Sequence, residues 1–290
     1  MKRCLRCGAV FAAPGWRCPD CGWEPETRNS IACFAPEAAG VRDGWDPDYY
    51  PRLFRLESGN FWFRARNRLI LWALEKFFPA ARSMLEVGCG TGYVLSGIAI
   101  ARPAMALTGS EIHEAGLDWT ARRVPGARFL QMDARRIPFT SEFDVVGAFD
   151  VIEHIEDDRA VLAEIRRALV PGGGLIVTVP QHRLLWSAAD EYAYHKRRYT
   201  RADLVGKVRE AGLRVLLCTS FVSLLLPLAA VSRLRTRTLE TFDPEAEFRL
   251  PAFANRLLEG VMSVERAAIR AGARWPFGVS LLLVAQTQDG

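Results

Sequence analysis

From residue 83 onward the chain alternates short apolar strands with amphipathic helices, and this alternation constrains the fold more than any other feature. The spacing predicts seven strands, at 83–88, 105–111, 127–133, 143–151, 174–180, 213–221 and 280–288. Helices of this length between consecutive strands predict a mostly parallel sheet with helices on both faces, which is an α/β fold. The 290 residues suffice for one such core with smaller appendages.

The stretch LEVGCGTGY (85–93) joins the first strand to the first helix of this pattern. Its glycines alternate strictly at Gly88, Gly90 and Gly92, and glycine lets a backbone approach a ligand closely. Ligands of α/β sheets bind at the carboxyl ends of the strands, so the loop predicts a Rossmann-like nucleotide site. The spacing differs from the G-x-G-x-x-G of dinucleotide-binding turns.

Acidic residues follow the other strands at the same edge. Glu111 ends the second strand, and its two carboxylate oxygens match the two hydroxyls of a ribose. Its distance from the glycine loop also matches the dinucleotide rule, so Glu111 alone does not distinguish the two ligands. Asp133 follows the third strand, and FDVVGAFDVIEHIED (143–157) contains the fourth.

Taken in order, LEVGCGTG, TGSEI, LQMDA and FDVVGAFDVIEHIED resemble the motifs of class I S-adenosylmethionine-dependent methyltransferases. The resemblance covers about residues 60–221 and 280–288. It implies that Glu86 orients the amino group of the cofactor, that Glu111 binds the ribose, and that Asp133 accepts from the adenine amino group. The implied cofactor site comprises Trp62, Arg66, Glu86, Gly88, Cys89, Gly90, Gly92, Glu111, Ile112, Asp133, Ala134 and Asp150.

Two members of this set lie upstream of the sheet, in FWFRARN (61–67). One interpretation is the apolar start of a helix. The other follows the resemblance, in which an N-terminal helix covers the cofactor, Trp62 lines the site and Arg66 faces the cofactor carboxylate. Cys89 lies between ligand-facing glycines, and we interpret it as a small apolar filler.

Methyl transfer requires an aligned nucleophile and often the removal of its proton. HKRRYT (195–200) follows the fifth strand and offers His195 as a base, with Tyr199 and two arginines for an acidic or phosphorylated substrate. The alternative is a solvated basic loop. We take His195, His154 and Tyr199 as the catalytic candidates.

The arrangement D-x-x-E-H at Asp150, Glu153 and His154 supports two hypotheses. In the first, these residues support the cofactor or its loop. In the second, His154 is a base or the three side chains hold magnesium. The second resembles the acid-x-x-acid-His site proposed in O-methyltransferases of the ubiquinone pathway.

The chain begins with the pattern C-x2-C-x10-C-x2-C, formed by Cys4, Cys7, Cys18 and Cys21. Four thiolates form the closed tetrahedral shell of structural zinc and leave no position for a substrate. The pattern resembles a zinc ribbon or rubredoxin-like knuckle. Such cysteine usage, in a chain whose first residues lack a signal-peptide pattern, predicts a cytoplasmic location.

The predicted organisation is a zinc ribbon (1–25), a loosely packed linker (26–60), a methyltransferase core (61–221 and 280–290) and a helical insertion (222–279). The insertion combines an apolar run with Arg233, Arg235 and Arg237. It then forms an amphipathic helix with apolar residues at Phe253, Leu257, Val261, Val264 and Ala268. It is either a cap that buries its own apolar face or a peripheral membrane patch near a lipid-linked substrate.

Two classes of function remain. The first is a methyltransferase that uses S-adenosylmethionine to modify oxygen or nitrogen of a small or lipid-linked metabolite. The second is a regulatory or binding module in which the core senses this cofactor and the ribbon docks a partner; a nucleic-acid or protein methyltransferase is a further alternative. The net charge of +5 is spread along the chain, and only Trp16 and Trp23 of the ribbon offer stacking, so nucleic acid is not favoured. The glycine spacing and the final, antiparallel-type strand disfavour a dehydrogenase.

Overall fold

The computed structural model describes residues 1–38, 47–235 and 249–288. The strands are β1 (Lys2–Arg3), β2 (Val10–Phe11), β3 (Glu26–Arg28), β4 (Ile31–Cys33), β5 (Ser83–Val87), β6 (Ala106–Glu111), β7 (Arg128–Gln131), β8 (Phe143–Phe149), β9 (Leu169–Pro180), β10 (Leu213–Phe221) and β11 (Ser280–Thr287). The helices are α1 (Tyr50–Leu56), α2 (Phe61–Phe77), α3 (Tyr93–Ala101), α4 (Glu114–Arg123), α5 (Asp158–Ala168), α6 (Ala188–Tyr192), α7 (Arg201–Glu210), α8 (Leu226–Arg235) and α9 (Ala252–Arg270). Short 3-10 helices lie at Pro47–Tyr49, Glu57–Gly59, Ile152–His154 and Arg183–Leu185.

The main sheet has the strand order β10-β11-β9-β8-β5-β6-β7-β4-β3. All seven predicted strands are present, as β5 to β11, and the α/β fold is confirmed. The pairs from β9 through β8, β5 and β6 to β7 are parallel, while β11 runs antiparallel to both β9 and β10. The carboxyl ends of β5 to β9 therefore share one edge, where the sequence places its acidic residues.

Residues 26–38 differ from the predicted loose linker. The backbone of β4 pairs in parallel with β7, which adds two strands to the predicted seven. The Gln131 side chain accepts a hydrogen bond from the Ala35 amide at 3.0 Å and donates to the Ala35 carbonyl at 2.7 Å. The linker prediction is wrong here because three-residue strands are too short to show periodicity. Part of the predicted linker, 39–46, lies outside the described residues.

The core lies on both faces of the sheet. The α2 residues Leu69, Ile70, Ala73 and Leu74 pack with α3 on one face, and the α5 residues Val161, Leu162 and Ile165 pack on the other. Neighbouring β5 residues Met84 and Leu85 point to opposite faces, as the two-residue period of a strand requires. Helices therefore cover both faces of the sheet, as the alternation of strands and helices predicted.

The apolar run 212–231 is divided between β10 and α8. Within the described residues, no helix has the length and apolar character to cross a bilayer. Of the insertion 222–279, residues 236–248, which include Arg237, lie outside the described part of the chain.

Candidate cofactor and catalytic site

The three loop glycines all have positive φ, at 67° for Gly88, 55° for Gly90 and 74° for Gly92. A Cβ on Gly88 would lie 2.5 Å from a Val151 methyl, and one on Gly92 would lie 2.5 Å from a Thr120 methyl. A Cβ on Gly90 would meet no atom within 4 Å. Two glycines therefore permit close packing, and the third leaves open space where a ligand can approach the backbone.

Two buried carboxylates flank this loop. Glu86 is almost completely buried, and its Oε2 has no hydrogen-bond partner among the described residues. Burial raises the pKa of Glu86 well above its usual value, because it disfavours the charged form. A cationic ligand group beside Glu86 would stabilise that charged form. Glu111 accepts from the Gly90 amide at 3.0 Å and from the Ile112 amide at 2.7 Å, and so orders the loop. Burial also raises the pKa of Glu111.

Asp133 lies at the start of the turn after β7. Its carboxylate accepts from the Arg135 amide at 2.8 Å and pairs with the Arg135 guanidinium at 2.6 Å. Burial alone would raise the pKa of Asp133, but the hydrogen bonds and charge of Arg135 lower it overall. The Arg135 Nε also donates to both carboxylate oxygens at 3.0 Å, so Arg135 engages about all four acceptor sites of Asp133 in this structure. Ala134 is buried beside it.

Cys89 is buried between the glycines, and its sulfur lies 3.7 Å from the Thr120 hydroxyl. Burial raises the pKa of this thiol well above its usual value. The side chain therefore stays a neutral thiol, which agrees with a packing role and disfavours a nucleophile.

Arg66 of α2 lies at the carboxyl end of β8. It forms an ion pair with Asp150, and its guanidinium carbon lies 4.5 Å from the Trp62 ring centroid. The Thr178 hydroxyl donates to the same Asp150 oxygen at 3.0 Å. Asp150 has a φ of 57°, a conformation unusual outside glycine, which these contacts hold in place. The predicted trio of Trp62, Arg66 and Asp150 is therefore brought together.

Sequence reasoning missed the N-terminal cover of the glycine loop. Thr91 of the loop donates to the buried Glu57 carboxylate at 2.6 Å, and Arg123 pairs with the same carboxylate at 2.5 Å. Tyr50 of α1 is buried against Gly116, beside Glu111. These contacts fasten α1 and the following turn over the loop. No local motif marks them, because Glu57 and Arg123 are 66 residues apart.

The side chain of His195 is positioned by Asp190, which sequence reasoning also missed. The His195 Nδ1 lies 2.8 Å from Asp190 Oδ1, and the Arg198 guanidinium makes bonds of 2.7 and 3.0 Å to the Asp190 carboxylate. Burial alone would raise the pKa of Asp190, but the bonds from His195 and Arg198 lower it overall. Asp190 therefore stays ionised, and the other His195 nitrogen, Nε2, points toward Glu153 at 4.0 Å.

The predicted trio of Asp150, Glu153 and His154 is not the group that the structure assembles. The donor atoms of Glu153, His154 and His195 lie within 4.8 Å of one another, while Asp150 is held by Arg66 and Thr178. One carboxylate and two imidazoles do not suit magnesium, which prefers oxygen ligands. The magnesium hypothesis is therefore wrong in its ligand set.

His154 and Tyr199 are poorly suited to catalysis. Burial, together with the neighbouring His195, lowers the pKa of His154 to about 3, which makes it a weak base. Tyr199 is fully buried, and its hydroxyl donates to Asp158 at 2.6 Å. Burial and Asp158 raise the pKa of Tyr199, so the phenol stays protonated and bonded. The prediction that Tyr199 is catalytic is wrong because its hydroxyl is occupied inside the core.

The amino-terminal cysteines converge as predicted. The donor sulfurs of Cys4, Cys7, Cys18 and Cys21 all lie within 4.8 Å of one another, a group that fits one tetrahedral zinc. The ribbon is not an isolated module. Arg3 pairs with Glu164 at 2.8 Å, and the Trp16 ring packs on Phe34 with centroids 4.6 Å apart.

Comparison with known proteins places these features in context. The methyltransferase-domain family matches residues 85–177. A probable S-adenosylmethionine-dependent methyltransferase of Mycolicibacterium smegmatis is 31% identical over 55% of this chain and 62% of its own length. The human EEF1A lysine methyltransferase 2 is 30% identical over 50% of this chain and 70% of its own length.

A phthiotriol/phenolphthiotriol dimycocerosates methyltransferase of Mycobacterium leprae is 34% identical over 43% of this chain and 47% of its own length. The chain thus spans about three fifths of the length of the first relatives that it matches. Among solved structures, a sarcosine dimethylglycine methyltransferase from Galdieria sulphuraria, described as putative, aligns with a TM-score of 0.54. That alignment has 13% identity and covers 77% of this chain and 86% of the other, so it shows the same fold.

Proposed function

Because the chain belongs to the S-adenosylmethionine-dependent methyltransferases, we propose that it transfers the methyl group of this cofactor to an oxygen or nitrogen atom of a small or lipid-linked metabolite. The observation that carries the proposal is the pairing of two features at one edge of the sheet. A loop with open space at Gly90 lies beside the buried Glu86 acceptor, and the Asp190–His195 pair follows two strands away.

The chain's own residues fit this cofactor. Glu86 Oε2 would accept from the cationic amino group, and Glu111 would accept from the ribose hydroxyls. The Nε of Arg66 is buried without a hydrogen-bond partner in the described part of the protein, which suits the cofactor carboxylate. When bound, S-adenosylmethionine supplies an electrophilic methyl group on a positively charged sulfur.

His195 then acts as the general base for the acceptor. With Nδ1–H donated to the ionised Asp190, the lone pair lies on Nε2, the nitrogen that points away from Asp190. The proton of the acceptor O–H or N–H moves to Nε2, and Asp190 stabilises the resulting imidazolium. Arg198 keeps Asp190 ionised and oriented, so it supports the base through its partner.

A lipid-linked acceptor is favoured by apolar side chains near this part of the sheet edge. Leu184, which follows β9, is 98% exposed, and Phe277, which precedes β11, is 62% exposed. The Phe277 ring lies 5.8 Å from the ring of His182, which follows β9. The similarity to a methyltransferase named for a dimycocerosate substrate also supports a lipid-linked acceptor. Such an enzyme would work in the cytoplasm, where the four ribbon thiolates stay reduced.

The competing hypothesis is a regulatory module that only senses the cofactor. The ordered Asp190–His195 pair disfavours it, since sensing the cofactor requires no base on the acceptor side. A nucleic-acid substrate is also disfavoured, because the half-buried Trp16 already packs its ring against Phe34 and Phe139, which leaves less of it for base stacking.

Titration calorimetry with S-adenosylhomocysteine and with NAD tests the cofactor assignment, and we expect heat from the former alone. Methyl transfer is then followed from radiolabelled cofactor into metabolite and lipid extracts. The variant His195→Ala should bind S-adenosylhomocysteine as the wild type does and should transfer no label. Absence of S-adenosylhomocysteine binding would reject the proposal, and full transfer by His195→Ala would reject the base.

A further inference from the structure

Helix α9 leaves part of its apolar surface facing away from the protein. Phe253, Leu257 and Val264 lie on one stripe and are between 65% and 74% exposed. The opposite side, packed on the protein, buries the apolar residues Met262 and Ile269 together with the polar residues Asn255 and Glu265. Helix α9 therefore covers the core with one side, as a cap would, and leaves a second apolar stripe exposed. A solvent-facing apolar stripe about three turns long indicates a surface that binds something apolar.

Helix α8 repeats this arrangement. Leu228 and Val231 are more than 40% exposed and three residues apart, which places them on one side of α8, and Leu224 in the turn before the helix is also exposed. The two helical segments are joined, because Glu265 of α9 accepts from the Ser223 and Leu224 amides at 2.7 and 2.9 Å. The apolar side chains of α8 and α9 thus lie in one connected structural unit.

A basic hollow lies on the side of α9 that packs on α2. It has a volume of about 200 Å³, lies between α2 and α9, and is lined by Arg68, Leu71, Trp72, Glu75, Arg266 and Arg270. The NH1 nitrogen of Arg266 is buried and has no hydrogen-bond partner within the described ranges. Burial, followed by the like charges of Arg68 and Arg270, lowers the pKa of Arg266. Arg68 is paired with Glu259, and Glu75 also lines the hollow, so Arg266 and Arg270 are the guanidinium groups that can meet a phosphate oxyanion there.

We propose that α8, α9 and the hollow between α2 and α9 form a docking surface for a bilayer that contains anionic phospholipids. The apolar stripe would enter the interface, and the arginines would bind headgroup phosphates. This inference rests on the proposed function, since it supplies the surface from which a lipid-linked acceptor would be taken.

The charges favour a bilayer over a second copy of the chain. Arg256 and Arg270 are exposed on α9, whereas its acids face inward: Glu259 pairs with Arg64 at 2.7 Å and also with Arg68, and Glu265 is buried. Two copies joined through this side would bring like charges together. An anionic surface complements them.

The docking surface is bonded to both sides of the candidate site. Asn255 of α9 accepts from the Phe61 amide at 2.9 Å, at the start of the helix that carries Arg66. Arg233 of α8 donates to the Ser187 hydroxyl at 3.1 Å, and the Ser187 amide donates to Asp190 at 3.0 Å. A docked protein would therefore hold the acceptor side near the bilayer.

The test is cosedimentation of the full-length protein with vesicles of phosphatidylcholine alone or with about 30 mol % phosphatidylglycerol. We expect binding to the anionic vesicles only. The double variant Leu257→Ser, Val264→Ser should weaken it about tenfold or more. The double variant Arg266→Gln, Arg270→Gln should weaken it about fivefold per arginine.

The matched controls, Ile100→Ser on α3 and Arg209→Gln on α7, change exposed residues elsewhere and should bind vesicles as the wild type does. Calorimetry with S-adenosylhomocysteine on every variant separates loss of docking from loss of folding or of the cofactor site. The proposal would be overturned if the wild-type protein bound S-adenosylhomocysteine but did not bind anionic vesicles. It would also be overturned if the wild type formed a dimer that the double variant Leu257→Ser, Val264→Ser converts to monomers. Binding of inorganic phosphate in the hollow without binding of vesicles would overturn it as well.

Discussion

On the β5–β7 side of the ligand-binding edge, Glu86 presents a buried acceptor atom, whereas on the β8–β9 side Asp158 and Asp190 are already paired with cations. Glu153 is the exception on the β8–β9 side, since both of its buried oxygens lack a hydrogen-bond partner among the described residues. Glu86 keeps a buried oxygen without a hydrogen-bond partner in the described chain. On the other side, Asp190 is bonded by His195 and Arg198, and Asp158 by Tyr199. The difference indicates that the β5–β7 side binds the cofactor through an acceptor atom that has no partner in the protein. The β8–β9 side holds a base whose orientation is already fixed. Changes on the first side should affect binding, and changes on the second should affect the rate.

The largest expected effect is that of His195→Ala. Loss of a general base should lower kcat about 10²–10⁴-fold, with the affinity for S-adenosylhomocysteine unchanged. Steady-state kinetics and calorimetry measure the two quantities. His154→Gln is the matched control from the same cluster and should cost far less, because the pKa of His154, about 3, already makes it a weak base. Equal losses in both variants would contradict the division of roles.

The next effect is that of Glu86→Gln, which keeps the shape of the side chain and removes its charge. We expect the affinity for S-adenosylhomocysteine to fall about 10–100-fold, since a charged hydrogen bond contributes about 1.5–3 kcal/mol. The unliganded variant should melt at a higher temperature at neutral pH, because a buried carboxylate with a raised pKa opposes folding when ionised. An unchanged affinity would remove Glu86 from the cofactor site.

Two buried acids of the acceptor side should have opposite effects on stability as pH changes. Burial and Asp150 raise the folded-state pKa of Glu153, so the wild type should lose stability relative to Glu153→Gln as pH rises above about 4.3. The pKa of Asp190 is lowered, so Asp190 should stabilise the wild type above about pH 3.9, and the advantage over Asp190→Asn should disappear at lower pH. Urea unfolding between about pH 2 and 8 measures both, because the Asp190 effect is lost only below about pH 3.9. Trends of the same sign would contradict the assigned environments.

The smallest effect on the cofactor site should come from the zinc ribbon. The variant Cys18→Ser should lose the bound zinc and lower the melting temperature by several degrees. The ribbon contacts the turn after Asp133, because Arg136 donates to the Leu5 carbonyl at 2.9 Å and the Arg3 amide donates to the Pro138 carbonyl. The affinity for S-adenosylhomocysteine should therefore fall only a few-fold. Cys218→Ser, outside the ribbon, is the control and should retain one zinc per chain by mass spectrometry.

Prediction from sequence succeeded where the determinants are local. The strand, glycine loop and helix at 83–101 form one continuous unit, and their conformation follows from a few neighbouring residues. The same holds for the paired cysteines. It failed for Tyr199, because residue type alone does not show that Asp158 occupies the hydroxyl. It missed Asp190 because that residue belongs to no recognised motif.

By itself, the sequence determined the alternating α/β fold, the glycine loop with Glu86 and Glu111, and the four-cysteine group. These depend on periodicity and short spacing, which the chain encodes locally. Only the tertiary structure decided that His195 is held by Asp190 and that Arg66 meets Asp150, 84 residues away. It also decided which side of α9 is covered. Periodicity shows that a helix has two sides, but packing against α2 determines which of them faces the solvent.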